Sequence, residues 1–202
     1  MRSRRKGWMT GGFAALVAAS VWLAVPGAAI AQETDEMAAD APATPPAADP
    51  ADVESIDAIM GAVYDVISGD AGEKRDWDRF MSLFIPEGRL IPTGVRPDGT
   101  HGYLVWTPEQ YVAQAGPQLE QNGFFEDEAH RVVERWADIA HVFSTYNSYR
   151  SAADMEAGNH FQRGINSFQL MYDGTRWWVV SIMWEGETPN RPIDEKYLDD
   201  TM

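Results

Sequence analysis

Cysteine is absent from all 202 residues. That excludes disulfides, thiolate metal ligands, cysteine nucleophiles and a lipid carried on an N-terminal Cys. Positive charge is scarce too: 16 Lys and Arg stand against 31 Asp and Glu. Four of the 16, Arg2, Arg4, Arg5 and Lys6, precede a segment expected to be removed, which leaves 12 against 31, a net −19. Nucleic-acid phosphates and anionic membrane surfaces both require a basic patch, so neither is an expected partner. The four histidines, His101, His130, His141 and His160, are scattered with no His-x-x-x-His spacing and no carboxylate cluster beside them. No metal site is therefore expected, and no cofactor. A phosphate-cradling Gly-rich loop opening a helix and a Gly-x-Ser-x-Gly elbow are both missing, which argues against nucleotide chemistry and serine hydrolysis.

Three segments are legible. Residues 1–31 read as a secretory signal: a basic start at Arg2–Lys6, an apolar stretch from Gly11 to Val25, and Ala29-Ile30-Ala31 before a cleavage expected ahead of Gln32. The apolar stretch is short for a membrane span, so the mature chain is expected to be periplasmic or secreted with no membrane anchor. Arg4-Arg5 leaves a twin-arginine route open, although Lys6 and Gly7 stand where apolar residues should follow. Residues 32–52 hold six acidic residues, Pro42, Pro45, Pro46 and Pro50, and no aromatic. Such a segment cannot bury enough apolar surface to offset its ordering entropy, and it is expected to be a disordered linker.

Residues 53–199 carry the patterns of a folded domain. Val53, Ile56, Ile59, Met60, Val63, Val66 and Ile67 recur at helical spacing and end at Ser68-Gly69-Asp70. Trp77, Phe80, Met81 and Phe84 share one face of a second helix with Asp76 as its cap and Pro86 as its stop. Thr107-Pro108-Glu109-Gln110 spells a capping box with Pro at the first turn, opening a third helix to about Leu119. Short apolar runs at Gly88–Ile91 and Tyr103–Trp106 surround the turn signal Pro97-Asp98-Gly99. Beyond Gly123 four β-rich segments follow: Phe124–Arg135, Asp138–Tyr149, Phe161–Tyr172 and Arg176–Trp184, the last two flanking Asp173-Gly174. The loop from Ser151 to His160 between them reads as polar and mobile. Helices first and antiparallel strands afterwards define an α+β domain.

The stretch Arg163–Glu187, RGINSFQLMYDGTRWWVVSIMWEGE, together with Asp76-Trp77-Asp78-Arg79-Phe80, Leu83-Phe84-Ile85-Pro86 and Ile139–Tyr146, resembles the nuclear transport factor 2-like superfamily over about Val53 to Glu187. The likeness is strongest to its SnoaL-like and ketosteroid isomerase-like members. It implies a cone-shaped, curved antiparallel sheet packed on three N-terminal helices, an apolar cavity on the concave face, and a homodimer formed through the sheet. It also implies a small apolar or amphipathic molecule as the partner. It does not choose among isomerases, dehydratases, cyclases and proteins with no activity. Along the last strand Trp177, Val179, Ser181 and Met183 alternate with Trp178, Val180, Ile182 and Trp184, so both faces are apolar. A second copy would cover the outer face; the alternative cover is the C-terminal tail through Pro192 and Tyr197.

Family enzymes place an acid–base group and a few donors in the cavity. The catalytic candidates are His141, with Asp76 or Asp78 as its acid–base partner and Tyr146 or Asn166 as a polarising donor. Ligand-binding candidates are Trp77, Arg79, Arg163, Asn166, Gln169 and Trp184. Arg163 and Gln169 share one strand face while Asn166 lies on the other, so only one of those sets can line the cavity. Each has a structural alternative: a core histidine, a helix cap, a surface ion pair, an ordinary buried aromatic.

Overall fold

The structure, a computed structural model, describes residues 44–96 and 98–198. The expected signal segment and most of the expected linker lie outside them. The first described helices are α1 (Pro50–Val53) and α2 (Ile56–Ile67), separated where Ser55 caps α2 by accepting from the Ala58 amide. The expected linker thus ends in ordered structure: Pro50 opens α1, and Asp52 binds the Arg79 guanidinium with two hydrogen bonds of 2.7 and 2.9 Å. The apolar face of α2 is buried through Ile59, Met60, Val63, Val66 and Ile67, as its spacing predicts.

Next come α3 (Trp77–Ser82), β1 (Phe84–Val95), β2 (His101–Tyr103) and α4 (Pro108–Asn122). Asp76 caps α3 and the full capping box forms at Thr107 and Gln110. The second helix is shorter than its apolar spacing suggests. Phe84 already begins β1, and Pro86 lies inside that strand, in the stretch where its register with the neighbouring strand shifts. Gly123, at φ +72°, ends α4 in a conformation that disfavours residues with a Cβ. The remaining elements are β3 (Phe125–Trp136), β4 (Ile139–Tyr149), α5 (Ala152–Glu156), β5 (Gln162–Tyr172), β6 (Trp177–Gly186) and a 3₁₀ turn at Glu195–Tyr197. The segment expected to be a mobile loop holds α5, capped by Ser151 on the Asp154 amide.

The strands form one sheet in the order β2-β1-β6-β5-β4-β3. Neighbours run antiparallel except β1 and β6, which are parallel, so the sheet is mixed rather than wholly antiparallel. This is the expected α+β arrangement, with helices against one face of a curved sheet. That face carries the core: Ala140, Val142 and Tyr146 from β4, Phe168 and Leu170 from β5, and Trp177, Val179 and Ile182 from β6.

Two bulges set which side chains reach it. In β6 the pairing passes from Gln169↔Ser181 to Leu170↔Val179, so Val180 is an extra residue. The core face therefore reads Trp177, Val179, then Ile182 and Trp184, which corrects the uninterrupted alternation expected from sequence. In β3 the pairing passes from Glu128↔Tyr146 to His130↔Thr145, leaving Ala129 over. Glu126 and Glu128 are thereby turned to the face of Ser148, Tyr146 and Ser144.

The opposite face is covered in part by the chain's own tail. Tyr197 packs its ring against Phe143 at 5.0 Å, and its carbonyl accepts from the Thr145 hydroxyl. Val132, Ile139 and Trp136 remain exposed on that side, Trp136 at 78 %. Among the described residues no helix is long and apolar enough to cross a membrane.

One buried cation ties the helices together. Arg75, 7 % exposed, donates to the carbonyls of Ile67, Gly69 and Glu73, which closes the end of α2. Arg75→Ala should lower stability by about 2–4 kcal/mol, since several buried acceptors lose their donor at once. Urea unfolding monitored by tryptophan fluorescence measures this.

Candidate functional site

The core face is not uniformly apolar. Ser144, Ser148 and Asn166 are buried on it, together with the phenols of Tyr64 from α2 and Tyr146 from β4. Two carboxylates from β3, Glu126 and Glu128, point into this group. The Glu126 carboxyl accepts from Ser148 Oγ at 2.9 Å and from Asn166 Nδ2 at 3.2 Å. Its backbone N–H is fixed by Ser68 Oγ at 3.0 Å, just past the end of α2. Both side-chain donors are neutral. Burial pushes the Glu126 carboxyl up to about 7, an effect to which the adjacent Asp127 adds and which Ser148 and Asn166 oppose.

Three tyrosines lie within electrostatic reach of it. Burial, reinforced by the Glu126 charge, raises Tyr64, Tyr111 and Tyr146, which holds all three as neutral hydrogen-bond donors. Tyr64 is engaged: its hydroxyl lies 2.7 Å from Ser144 Oγ and 3.2 Å from Asn166 Nδ2. The Tyr111 and Tyr146 hydroxyls have no hydrogen-bond partner among the described residues. Gly164 makes room for Tyr146, since a methyl there would overlap its hydroxyl and the Glu185 carbonyl. Around these groups lies an aromatic wall: Tyr111 stacks on Phe80 at 5.3 Å and meets Trp184 edge-on at 6.3 Å. Glu128 is raised by burial, against Ser144 and Arg131, which favour its charge. It accepts from Ser144 Oγ at 2.5 Å and pairs with Arg131 Nε at 2.8 Å.

Of the sequence candidates, Tyr146, Asn166 and Trp184 come together here. The others do not. His141 lies on the opposite sheet face from Tyr146, five residues away on the same strand, and its Nε2 meets Ser167 Oγ at 3.0 Å. Asp76 is a helix cap and Asp78 is exposed, so the expected His141–Asp constellation does not form. Trp77 donates to Glu120 at 2.9 Å, and Arg79 is engaged with Asp52 and Asp65. Arg163 pairs with Glu187 at 2.8 Å, and Gln169 is exposed on the face away from the helices.

Sequence reasoning missed Glu126, Glu128, Tyr64, Tyr111, Ser144 and Ser148. Tyr64 sits within the apolar stripe of α2, where it reads as core. The alternation Ser144, Tyr146, Ser148 on one strand face was a usable signal. The glutamates were hidden by the bulge at Ala129.

Two surface hollows lie elsewhere. One, of about 620 Å³, is lined by Asp65, Glu73, Asp127 and Met155; the other, of about 300 Å³, lies under the tail beside Phe143, Arg191 and Tyr197. Among the described residues no group of three or more His, Asp or Glu is placed to hold a metal ion.

No protein-family model matches the chain. No curated protein matches it either. Solved structures do. A protein of unknown function with a cystatin-like fold from Nostoc punctiforme PCC 73102 is 12 % identical over 66 % of this chain and 90 % of its own, with a TM-score of 0.49. An NTF-2 like protein of unknown function from Silicibacter pomeroyi DSS-3 is 12 % identical over 66 % and 94 %, at 0.45. A nuclear transport factor 2-like superfamily protein from Salmonella enterica serovar Typhimurium is 14 % identical over 64 % and 86 %, at 0.45. The fold shown by the chain's own element and sheet order is α+β, with helices against one face of a mixed six-stranded sheet.

The raised Glu126 has a consequence for stability. A carboxyl that holds its proton more tightly when folded contributes most at low pH. Its contribution is lost as pH rises from the ordinary value of 4.5 to about 7. Glu126→Gln should therefore raise the melting temperature relative to the parent at pH 8 by more than at pH 5, which calorimetry at the two pH values resolves.

Proposed function

We propose that this chain binds a small apolar or amphipathic molecule against the concave sheet face and moves a proton on it, as a cofactor-free isomerase, dehydratase or cyclase does. One observation supports this above all: a carboxyl that burial pushes up to about 7 lies within electrostatic reach of two buried phenols, Tyr111 and Tyr146, whose hydroxyls have no partner among the described residues. A base with such a pKa is matched to proton abstraction at physiological pH. As the carboxylate, Glu126 takes a proton from carbon next to a ligand carbonyl. Tyr146 or Tyr111 donates to the oxygen on which negative charge develops. Asn166 and Ser148 hold the carboxylate in place throughout. The aromatic wall of Phe80, Tyr111 and Trp184 supplies apolar contact and excludes water, which strengthens each of these hydrogen bonds.

A compact enolisable ketone, 2-tetralone, tests this in deuterium oxide by the loss of its α-protons in NMR spectra. Exchange above background should rise with pH up to about 7 and level off beyond, because the ionised carboxyl is the base. Glu126→Gln should slow it by about a hundredfold or more, and Tyr146→Phe by about tenfold or more. Exchange indifferent to Glu126→Gln would exclude the reading.

We also propose that the protein is exported and self-associates through the sheet face left bare beside its tail, at Val132, Trp136 and Ile139. Supporting this are the signal pattern before Gln32 and the exposure of three large apolar side chains on one surface. Native mass spectrometry of protein purified from its own envelope fraction reads both claims, and any retained small molecule besides. The expected spectrum is a dimer of chains beginning at Gln32. Chains that keep residues 1–31 refute export, and a monomer refutes self-association.

A further inference from the structure

The buried hydroxyls between the two glutamates form a chain whose direction can be worked out. An ionised carboxylate only accepts, and the Arg131 guanidinium, joined to Glu128 and to Asp57 at 2.8 Å each, favours that form of Glu128 against its burial. The single Ser144 proton is thus committed to Glu128. Ser144 Oγ must then accept from the Tyr64 hydroxyl, 2.7 Å away. With its own proton spent, Tyr64 can only accept from Asn166, and so the side-chain NH₂ of Asn166 faces it. The same nitrogen lies 3.2 Å from Glu126 Oε1 and donates its second proton there. Each orientation follows from the one before, and the sequence starts at Glu128.

We infer that Glu128 is a positioning residue: by fixing the direction of the Ser144–Tyr64–Asn166 chain it aims the Asn166 amide as a donor at Glu126. This deepens the proton-transfer reading of Glu126 and rests on it for its functional meaning. The hydrogen-bond geometry stands apart from any substrate. Glu128 acts on Glu126 through three intervening groups, Ser144, Tyr64 and Asn166. The titratable groups facing Glu126 are Tyr64 from α2, Tyr111 from α4, Tyr146 from β4 and its neighbour Asp127. Those facing Glu128 are Arg131, Asp57 and Tyr64.

Glu128→Gln separates direction from charge. Arg131 Nε is a donor and draws the introduced amide's oxygen, which leaves the introduced NH₂ facing Ser144. The chain then reverses: Ser144 donates to Tyr64, Tyr64 donates toward Asn166, and Glu126 loses the donor that favours its charged form. Losing a nearby negative charge, taken alone, would have the opposite effect and lower the Glu126 midpoint.

The test is a pH titration of the Glu126 side-chain carbon in protein labelled with [δ-¹³C]glutamate, the resonance being assigned by its loss in Glu126→Gln. Glu128→Gln should raise the midpoint by roughly one pH unit. Adding Arg131→Met frees the introduced amide to turn its oxygen to Ser144, and should bring the midpoint back toward the parent value. In a Ser144→Ala background, where the chain is cut, Glu128→Gln should no longer raise it. A midpoint that falls or stays put in Glu128→Gln overturns the inference, as does a rise that persists in the Ser144→Ala background. Should Glu128→Gln alone not fold, Ser144→Ala in the parent decides instead: with the chain cut the Glu126 midpoint should rise, and a midpoint that falls or stays put refutes direction control. Because no ligand is present, failure here is distinct from failure of the exchange experiment.

Discussion

A carboxyl withdrawn from water without a cation beside it constrains everything around it. Placing Glu126 among tyrosines and aromatic rings carries a desolvation cost that only hydrogen bonds can offset here. Ser148 and Asn166 supply them, and the demand passes outward: Asn166 must be oriented, Tyr64 must be placed, and Ser144 must be buried where another residue could have added packing. A core built for stability alone would fill these positions with aliphatic side chains. This buried polar group is thus a local departure from the apolar face that Phe168, Leu170, Val179 and Ile182 otherwise make. Arg75 has the complementary role. It is a buried cation satisfied by backbone carbonyls, and it secures the end of α2 next to Ser68, which holds the Glu126 amide.

Much of the fold was legible because each signal depends on a few neighbouring residues. The stripe of α2 follows from spacing, the start of α4 from a capping box, and the last hairpin from Asp173-Gly174. The errors lie where tertiary context overrides such signals. Phe84 and Pro86 look like a helix end, yet they enter a strand that pairs with β6, more than ninety residues later. The 151–160 segment looks like open loop, although Ser151 caps a helical turn there.

The site was less legible, for a geometric reason. Alternation counted back from the turn at Ala137 puts Glu126 and Glu128 on the outer face, where acidic residues read as solvated charge. One extra residue at Ala129 inverts that parity and delivers both to the interior. His141 drew attention because imidazole chemistry is useful at neutral pH. Its strand position nonetheless puts it back to back with the site. Tyr146 and Asn166 were found because they lie on strands whose parity near them is regular.

The bulge also bears on how such a site is inherited. What β3 contributes to the interior depends on its length between turn and edge as much as on which residues it carries. Removing one residue near Ala129 would keep every glutamate, serine and tyrosine in the chain and still turn the two carboxylates out to solvent. Adding one to a homologous strand could draw surface acids inward with no other substitution. Two chains of this fold can therefore agree residue for residue around the site and differ in chemistry, so strand length belongs beside residue identity in any comparison of their activities.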